Sequence, residues 1–522
     1  MERLLAYFER ISEAPDAVGR LRRFVLDLAV RGELVEQVEM DLRPAPPVTR
    51  GPHDRSPLLT PQSWSWVRVG EVADCRLGKM LDKAKNRGTP RAYLRNVNVR
   101  WFDFDLSDVL EMPFEDSELE EFRLRSGDVL ICEGGEPGRA AVWDEREHDI
   151  YFQKAIHRVR FSEIVSPHFF VKVLHLFAQS GLLAPYFTGV GIKHLTGRGL
   201  ASVLLPLPPL AEQHRIVDKV DELMALCDRL EAAQAERETR RDRLTAASLA
   251  RLSQAAEDPQ RFRDDARFHL DHLPQLVTRV QHVALLRKAI RNLAVRGKLV
   301  PQVENEGEEG CSCGDRESQN EPFETPKSWC WVRVGEVASC RLGKMLDKVK
   351  NRGTPRRYLR NVNVRWFDFD LSDVLEMPFE DSELEEFSLR AGDVLVCEGG
   401  EPGRAAVWDE RENEVYFQKA IHRVRFREAV APEYFVNVVR FFAESGLLAP
   451  YFTGVGIKHF TGRGLDRFLF PLPSLAEQHR IVAKVDQLMA LCDQLEAQLG
   501  AAQIESRRLL EAVLHEALAP AA

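Results

Sequence analysis

Two long segments of the chain carry apolar residues at helical spacing. Residues 211–252 contain neither proline nor glycine, and their apolar positions follow alternating steps of four and three: Ile216, Val220, Leu223, Cys227 and Leu230. This spacing is typical of a helix whose apolar side faces another helix, and a helix of that length spans about 60 Å. Residues 476–517 repeat the pattern with one interruption, at Gly500. Shorter helices are predicted over residues 17–30 and 275–295.

Elsewhere the apolar residues form short runs bounded by turn residues, as in strands. Residues 151–161 end in an alternation that places Ile156, Arg158 and Arg160 on one face and His157, Val159 and Phe161 on the other. We interpret the single histidines His157 and His422 as packing residues of such strands. The segments that begin at Trp66 and Trp331 are therefore predicted to be mixed α/β (α+β) globular parts with a substantial sheet.

The chain is built from one unit used twice. Residues 66–161 align without a gap to residues 331–426, and only nine of these 96 positions differ. The flanking helical segments recur at the same offset, which indicates a duplicated domain with its helices. We predict five parts: a helical region over residues 1–40, a globular domain with its linker over 41–210, a central helical region over 211–303, the second globular domain with its linker over 304–475, and a helical region over 476–522.

Composition excludes several classes of protein. No apolar run reaches the roughly 18 residues that a membrane helix needs, and residues 1–16 carry charges where a secretory signal would be apolar. Of nine cysteines, only Cys311 and Cys313 lie close together, without a CxxC or histidine partner. We therefore expect no metal site and a reduced, cytoplasmic chain. The net charge of −9 does not by itself suggest nucleic acid.

Charge is nevertheless segregated inside each globular part. Residues 76–100 contain eight basic residues and one acid, Asp82, whereas residues 101–121 contain nine acids and no basic residue. Such a basic run is often only a solvated surface. Its recurrence in the second copy, together with the turn-like KNRGTPR segment, favours lysine and arginine contacts to DNA phosphates.

Two further segments are candidates for DNA contact. If residues 93–100 form a strand, Asn96, Asn98 and Arg100 share one face, and asparagine and arginine can bond adenine and guanine in the major groove; alternatively, the asparagines end turns. Residues 186–199 surround Lys193, His194 and Arg198 with four glycines. A structural glycine loop is the alternative, but Lys193 and Arg198 favour contact with DNA phosphates. Residues 132–139 are glycine-rich too, but their glutamates would repel phosphate, so we predict a tight turn between strands.

The candidate residues fall into two groups. The predicted DNA contacts are Arg76, Lys79, Lys83, Lys85, Arg87, Arg91, Arg95, Asn96, Asn98, Lys193, His194 and Arg198, and in the second copy Arg341, Lys344, Lys348, Lys350, Arg352, Arg356, Arg360, Asn361, Asn363, Lys458, His459 and Arg463. The predicted partner-binding positions of the long helices are Ile216, Val220, Leu223, Leu230, Ile481, Val485, Leu488 and Leu495. No nuclease pattern and no GxSxG, HExxH, Walker or Asn/Asp-Pro-Pro motif indicates a catalytic centre.

A family resemblance rests on the starts of the long helices. LPLPPLAEQHRIVDKVDELMALCDRLE (residues 205–231), its copy PLPSLAEQHRIVAKVDQLMALCDQLE (471–496), and the LAVRGELV and LAVRGKLVPQ elements resemble the specificity subunits of type I restriction–modification systems. The resemblance implies two target-recognition domains separated by long antiparallel, coiled-coil-like helices. It also implies double-stranded DNA as ligand, methyltransferase subunits that carry S-adenosylmethionine, and restriction subunits that use ATP with Mg. This chain itself would bind no cofactor.

The near-identity of the two copies departs from the family's usual pattern, in which the two recognition domains differ. We therefore expect an interrupted palindrome, with the same short sequence inverted on each side. Two alternatives remain: a self-contained restriction or modification enzyme, and a free-standing DNA-binding regulator or scaffold.

Overall fold

The computed structural model describes residues 14, 16–38, 58–82, 86–253, 259–303, 321–347, 349, 351–412 and 414–518. The chain divides into two compact units: unit 1 is Met1–Glu236 with Gln503–Ala522, and unit 2 is Arg237–Ala502. Each unit contains one globular α/β part, called head 1 and head 2. The unit boundaries lie inside the two long helices, so they cut across the predicted helical segments 211–303 and 476–522.

Unit 1 begins with a helix, continues through head 1 and leaves it along a long helix. Its elements are α1 (Ala17–Arg31), β1 (Ser65–Arg68), α2 (Val69–Val72), β2 (Ala73–Leu77), β3 (Thr89–Leu94), β4 (Leu110–Phe114), α3 (Asp116–Phe122), β5 (Val129–Cys132), β6 (Ala140–Val142), β7 (Tyr151–Phe152), β8 (Ile156–Phe161), α4 (Pro167–Ser180), α5 (Gly197–Ser202), β9 (Leu204–Leu207) and the start of α6 (Leu210–Ser253). Short 3-10 helices lie at Asn96–Asn98 and Ala184–Tyr186.

In unit 2, head 2 follows three helices, of which the third is the copy of α1. The helices are α7 (Pro259–Asp271), α8 (Leu273–Leu276) and α9 (Val280–Val295). Head 2 then comprises β10 (Cys330–Arg333), α10 (Val334–Val337), β11 (Ala338–Leu342), β12 (Thr354–Leu359), β13 (Leu375–Phe379), α11 (Asp381–Phe387), β14 (Val394–Cys397), β15 (Ala405–Val407), β16 (Tyr416–Phe417), β17 (Ile421–Phe426), α12 (Pro432–Ser445), α13 (Gly462–Asp466) and β18 (Leu469–Leu472), followed by α14 (Leu475–Leu518).

Each head contains three small sheets. In head 1, β2-β8-β5-β6 form an antiparallel four-stranded sheet, β4-β3-β7 form a three-stranded sheet in which β7 runs parallel to β3, and β1 pairs with β9. Head 2 has the same strand orders, shifted by nine strand numbers. The prediction of mixed α/β globular parts is confirmed, and so are the two long helices.

Strand β5 is buried on both faces, which explains its uninterrupted apolar sequence VLIC. Val129 and Ile131 pack with α1, α4 and the start of α6. Leu130 and Cys132 point the other way and pack against the three-stranded sheet and Trp143. One strand therefore joins the two cores of the head, because side chains alternate between its faces.

The AEQ sequence that opens α6 attaches this helix to head 1. Glu212 is buried and accepts hydrogen bonds from the Trp64 indole (3.0 Å) and from Gln37 (2.5 Å). Gln213 accepts from the backbone N–H of Ser166 (2.7 Å) and donates to the Ile164 carbonyl (2.9 Å). Glu477 and Gln478 repeat these bonds in unit 2. Both polar side chains are satisfied within the unit.

The predicted partner-binding positions of the long helices are also used internally, so that prediction is wrong for the most deeply buried ones. Ile216 and Val220 are at most 1% exposed and share a core cluster with Ala29 and Val30 of α1. Ile481 and Val485 are 1% and 2% exposed in unit 2. Of the half-buried positions, Leu223 packs against the cluster of unit 1, and Leu488 and Leu495 pack against that of unit 2; Leu230 is half-buried as well. The partner helix predicted from the spacing is thus α1 in unit 1.

The far ends of the long helices are covered within the unit to which they belong. The last turns of α14 belong to unit 1, where Leu510 and Val513 pack against Ala14 and Ala17. The end of α6 belongs to unit 2, where Thr245 donates to the Leu276 carbonyl at 2.9 Å. The antiparallel arrangement of the two long helices stays a prediction.

Three other expectations concern chemistry. No described helix is both long and apolar enough to cross a membrane. Within the described ranges, no group of three or more His, Cys, Asp or Glu side chains could hold a metal ion. Cys330 is disulfide-bonded, in contrast to the expectation of a fully reduced chain.

The two heads differ strongly in the helix that packs between the four-stranded sheet and the long helix. Helices α4 (PHFFVKVLHLFAQS) and α12 (PEYFVNVVRFFAES) differ at seven of 14 positions. In unit 2, Arg291 is buried and makes two hydrogen bonds to Glu444, of 3.0 and 2.9 Å. The equivalent pair in unit 1 is Leu26 and Gln179, so this ion pair exists in one copy only.

This difference predicts unequal effects on stability. Replacement Glu444→Ala leaves the buried guanidinium of Arg291 without this carboxylate and should lower the free energy of unfolding by about 3 kcal/mol. Gln179→Ala is the matched control, because Gln179 is exposed and Leu26 carries no charge; it should cost less than about 0.5 kcal/mol. Urea unfolding of the full chain measures both. Equal losses for the two variants would contradict the assigned role of the pair.

Candidate nucleic-acid interface

Five loops of head 1 meet at one end of its two larger sheets. They are residues 78–80 after β2, 95–98 after β3, 133–139 between β5 and β6, 153–155 between β7 and β8, and 188–194 before α5. Backbone hydrogen bonds connect them: Gly78 to Ile156 (3.0 Å), Lys154 to Lys79 (2.8 Å), Gln153 to Leu94 (3.1 Å), Glu133 to Ala155 (3.0 Å) and Leu195 to Glu133 (2.8 Å), with the N–H named first. We call this surface the loop end.

The glycine-rich segment forms a hairpin at the loop end. Thr188 and His194 exchange two backbone hydrogen bonds of 2.9 Å, which closes residues 188–194. Gly189 has φ +98°, and a Cβ there would lie 2.2 Å from the Ile192 carbonyl oxygen, so only glycine fits. Lys193 and His194 are exposed, and Arg198 is exposed on the short helix α5 that follows.

The turn between β5 and β6 separates this hairpin from Asn96. Asn96 donates its amide to the Gly134 carbonyl (3.4 Å), and a Cβ on Gly134 would lie 3.1 Å from the His194 ring. The predicted tight turn at residues 132–139 is therefore confirmed. Its glutamate Glu136 bonds Trp101 and Arg139 (2.9 and 2.8 Å). Asn96 and His194, 98 positions apart in sequence, thus flank one turn.

The exposed side chains of the loop end are cationic and apolar. Lys154 and Lys193 are exposed, and the apolar ones are Met80 (56%), Val97 (47%), Val190 (108%) and Ile192 (73%). Head 2 repeats the set with Lys419, Lys458, Met345, Val362, Val455 and Ile457. Sequence reasoning missed Lys154 and these apolar residues, since nothing in a single lysine or valine indicates which loops converge.

The segregation of charge in the sequence has a structural explanation. The acidic run pairs with the basic run that precedes it: Arg76 with Glu121, Lys79 with Glu118, Arg95 with Asp108 and Arg100 with Asp105. Head 2 repeats these four pairs at Arg341, Lys344, Arg360 and Arg365. Phosphate contact by Arg76, Lys79, Arg95 and their copies stays a prediction, and it would require these cations to exchange their carboxylate partners for phosphate.

The base-contact prediction is wrong for Asn98 and its copy Asn363. β3 ends at Leu94, and residues 96–98 form a 3-10 turn instead of continuing the strand. Asn98 is 2% exposed; its amide donates to the carbonyls of Asp105 (3.0 Å) and Asp108 (2.9 Å), while its Oδ1 accepts from the Arg95 N–H. The alternative that these asparagines end turns is correct for Asn98. Asn96 and its copy Asn361 are half-buried at the loop end.

The other predicted contacts lie in different places. Arg87 and Arg352 belong to the connection that leads from the four-stranded to the three-stranded sheet, where Arg87 is exposed. Arg91 is half-buried on β3, and its copy Arg356 pairs with Glu414 at 2.6 Å. His459 and Arg463 repeat the positions of His194 and Arg198 in head 2. Four predicted contacts lie outside the described residues: Lys83, Lys85, Lys348 and Lys350.

His157 supports the base of the hairpin. Its Nε2–H donates to the Leu195 carbonyl at 2.9 Å, and the side chain is 1% exposed. Burial lowers the pKa of this imidazole below its ordinary value of 6.5, although the bond to Leu195 acts in the opposite direction. The ring is thus neutral at physiological pH, and the interpretation of His157 and His422 as packing residues is confirmed by their burial.

Acidification should loosen the hairpin base. Because the pKa of His157 is lower in the folded than in the unfolded chain, its contribution to stability is present above pH 6.5 and is lost as the pH falls through the folded pKa. His157→Gln retains an amide donor and should make unfolding less dependent on pH between 7.5 and 5.5. His194→Gln, at an exposed position, is the control. An unchanged pH profile in His157→Gln would contradict the assignment.

Partnered and exposed lysines should behave differently. Lys79→Met leaves Glu118 unpaired and should lower the free energy of unfolding by about 1–3 kcal/mol, with little change in the salt dependence of DNA binding. Lys193→Gln should leave stability unchanged and reduce the slope of log affinity against log salt by about 1. Unfolding curves and salt titrations separate the two effects. A reduced salt slope in Lys79→Met would show that this lysine reaches phosphate after all.

Comparisons with known proteins agree on one family. The model described as "Type I restriction modification DNA specificity domain" matches residues 61–238 and 326–505. The specificity subunit of the type I restriction enzyme EcoAI of Escherichia coli is 23% identical over 96% of this chain and 94% of its own length. That of EcoEI, also from Escherichia coli, is 21% identical over the same shares.

Solved structures of such systems are also similar to the chain. One, described as the structural basis of complex assembly and conformational transition of the type I R-M system, has a TM-score of 0.49 at 20% identity and covers 88% of this chain and 99% of that one. The HsdS subunit from Thermoanaerobacter tengcongensis has a TM-score of 0.47 at 20% identity, covering 88% and 98%.

Proposed function

The chain belongs to the family of type I restriction–modification DNA specificity subunits, and we propose that its two loop ends read the two identical halves of an interrupted palindromic site. Each of the two domain matches spans one head and the beginning of the long helix that leaves it. Recognition of double-stranded DNA is thus the work of the heads.

The proposal is carried by the identity of the two loop ends. Residues 78–80, 95–98, 133–139, 153–155 and 188–194 have the same sequence in head 2. Of the nine differences between residues 66–161 and 331–426, none lies in these loops. Surfaces with the same donors, acceptors and apolar groups select the same base edges. If the halves are inverted, the heads must meet the duplex in opposite orientations, as antiparallel long helices would provide.

We propose that this chain recognises DNA while partner subunits carry out the chemistry. Methyltransferase subunits would bring S-adenosylmethionine, and restriction subunits ATP with Mg, in the cytoplasm. Because Ile216, Val220 and their copies are buried, a partner would bind the outward side of the long helices. Leu226 and Leu491, at equivalent positions and 44% and 52% exposed, lie on that side.

The two alternatives make different predictions for the purified chain. A self-contained enzyme would methylate or cleave DNA when given S-adenosylmethionine, ATP and Mg without a partner. A free-standing regulator would bind DNA without co-purifying a methyltransferase. The proposed function requires methylation only when such a partner is added, and the extension of the family match over both heads favours it.

Methylation mapping tests the palindrome. Genomic DNA from cells with the complete system should carry methylated adenines in one short sequence that recurs, inverted, on the opposite side of a fixed spacer. Asn96→Ala and Asn361→Ala are matched variants, since each changes one loop end. They should weaken binding to the mapped duplex by the same factor, about 10-fold. Two unrelated half-sites, or unequal losses in the two variants, would contradict identical reading.

A further inference from the structure

The tip of the hairpin at the loop end presents two β-branched side chains to solvent. Val190 and Ile192 are 108% and 73% exposed, and their copies Val455 and Ile457 are 106% and 74% exposed. A single exposed valine is ordinary, whereas two at one tip, beside exposed Val97 and Met80, form an apolar group on a surface that also carries lysines. Such a group indicates a contact surface.

Backbone hydrogen bonds fix the base of the hairpin on the head. The paired backbone bonds of Thr188 and His194 close it, and Gly189 permits the close approach of the Ile192 carbonyl. Below the tip, Leu195 is fully buried and its N–H is bonded to Glu133. The two apolar side chains are therefore presented on a preorganised support, which reduces the ordering entropy lost on binding.

Three arguments favour DNA as the occupant. Lys193 lies next to Ile192 and is exposed, so the tip combines an apolar contact with a phosphate contact. Asn96, which can bond a base edge, flanks the same glycine turn as the base of the hairpin. The tip also has the same sequence in both heads, whereas α4 and α12, which support the heads, differ.

The width of the hairpin favours the major groove. The base of the hairpin, where Thr188 pairs with His194, has the spacing of two paired strands, about 4.8 Å before side chains are added. The minor groove of B-DNA is only about 6 Å wide, whereas the major groove, about 12 Å wide, accepts a two-stranded ribbon. In the major groove, the apolar feature of a base pair is the C5-methyl group of thymine.

We propose that each hairpin tip enters the major groove and places Val190 and Ile192, or Val455 and Ile457, against a thymine methyl group, as specificity-determining residues of that head. The proposal rests on the proposed function, because it names a contact of the same reading surface. In this arrangement, the tip contacts an A·T pair in each half-site, and Lys193 contacts a phosphate.

The first test makes the tip less apolar and keeps its β-branching. In Val190→Thr/Ile192→Thr, made in the full chain and assembled with the methyltransferase partner, a hydroxyl group replaces one γ-methyl of Val190 and the ethyl group of Ile192. Affinity for the mapped duplex should fall about 10- to 100-fold, with affinity for random duplex and the salt slope unchanged. Lys193→Gln is the matched control and should weaken both duplexes. The equivalent pair in head 2, Val455→Thr/Ile457→Thr, should reproduce the result at the other half-site.

The second test removes the methyl group from the DNA. Deoxyuridine is substituted for each thymine of one half-site in turn, and one substitution should weaken the wild-type complex by about 3- to 10-fold. The same substitution should have a smaller effect on Val190→Thr/Ile192→Thr, because both changes weaken the same contact.

Several results would overturn the proposal. They are half-sites in which no replacement of thymine by deoxyuridine weakens binding, a threonine variant that binds the mapped duplex like the wild type, or equal losses on mapped and random DNA. A variant that keeps DNA affinity but loses its methyltransferase partner would assign the tip to protein contact instead. The wild type is titrated in the same experiment. If it prefers the mapped duplex to random DNA, these outcomes concern the hairpin tip alone; if it shows no preference, the proposed function itself fails.

Discussion

The burial of β5 on both faces is the constraint on which the rest of each head depends. With α1, α4 and α6 on one side and the three-stranded sheet on the other, neither face of this strand is open to a ligand. The proposed function therefore uses the loops at the strand ends, where backbone hydrogen bonds among five loops create one surface. Glu133, directly after β5, bonds both Ala155 and Leu195, and so couples the core strand to the hairpin.

Ion pairs within each head explain how a chain with net charge −9 can bind DNA. Much of the positive charge in residues 76–100 is compensated by the acidic run that follows, so it contributes to the structure of the head more than to attraction of phosphate. The exposed cations of the loop end are few, and apolar side chains lie among them. An interface of this kind depends less on counterion release and more on direct contact with base edges.

The sequence allowed the helices, the duplication and the α/β heads to be predicted, because each has a period or a repeat that needs no tertiary information. It predicted the site less well for identifiable reasons. The periodic positions Ile216 and Val220 mark a helix–helix seam, but a seam does not reveal whether its partner is α1 of the same unit or another protein. Asn98 fits a strand by alternation, yet its Oδ1 accepts from the Arg95 N–H in the turn that follows β3, and its amide donates to the carbonyls of Asp105 and Asp108. Lys154 gives no signal at all, since only the fold brings residues 153–155 beside residues 78–80.

The two copies show which parts of the head can change independently. Helices α4 and α12 differ at half of their positions, whereas the five loops are identical in the two heads. One of these differences places Gln179 in α4 where α12 has Glu444, which is bonded to Arg291. Packing can be repaired locally, because a charge introduced on one helix is matched by a charge on its neighbour. The exposed side chains at the tip of the loop end, Val190, Ile192 and Lys193, face solvent, and in the proposed function their complement is the DNA. Two heads that recognise the same half-site must keep the same loops, whereas the helices that support them, α4 and α12, can differ.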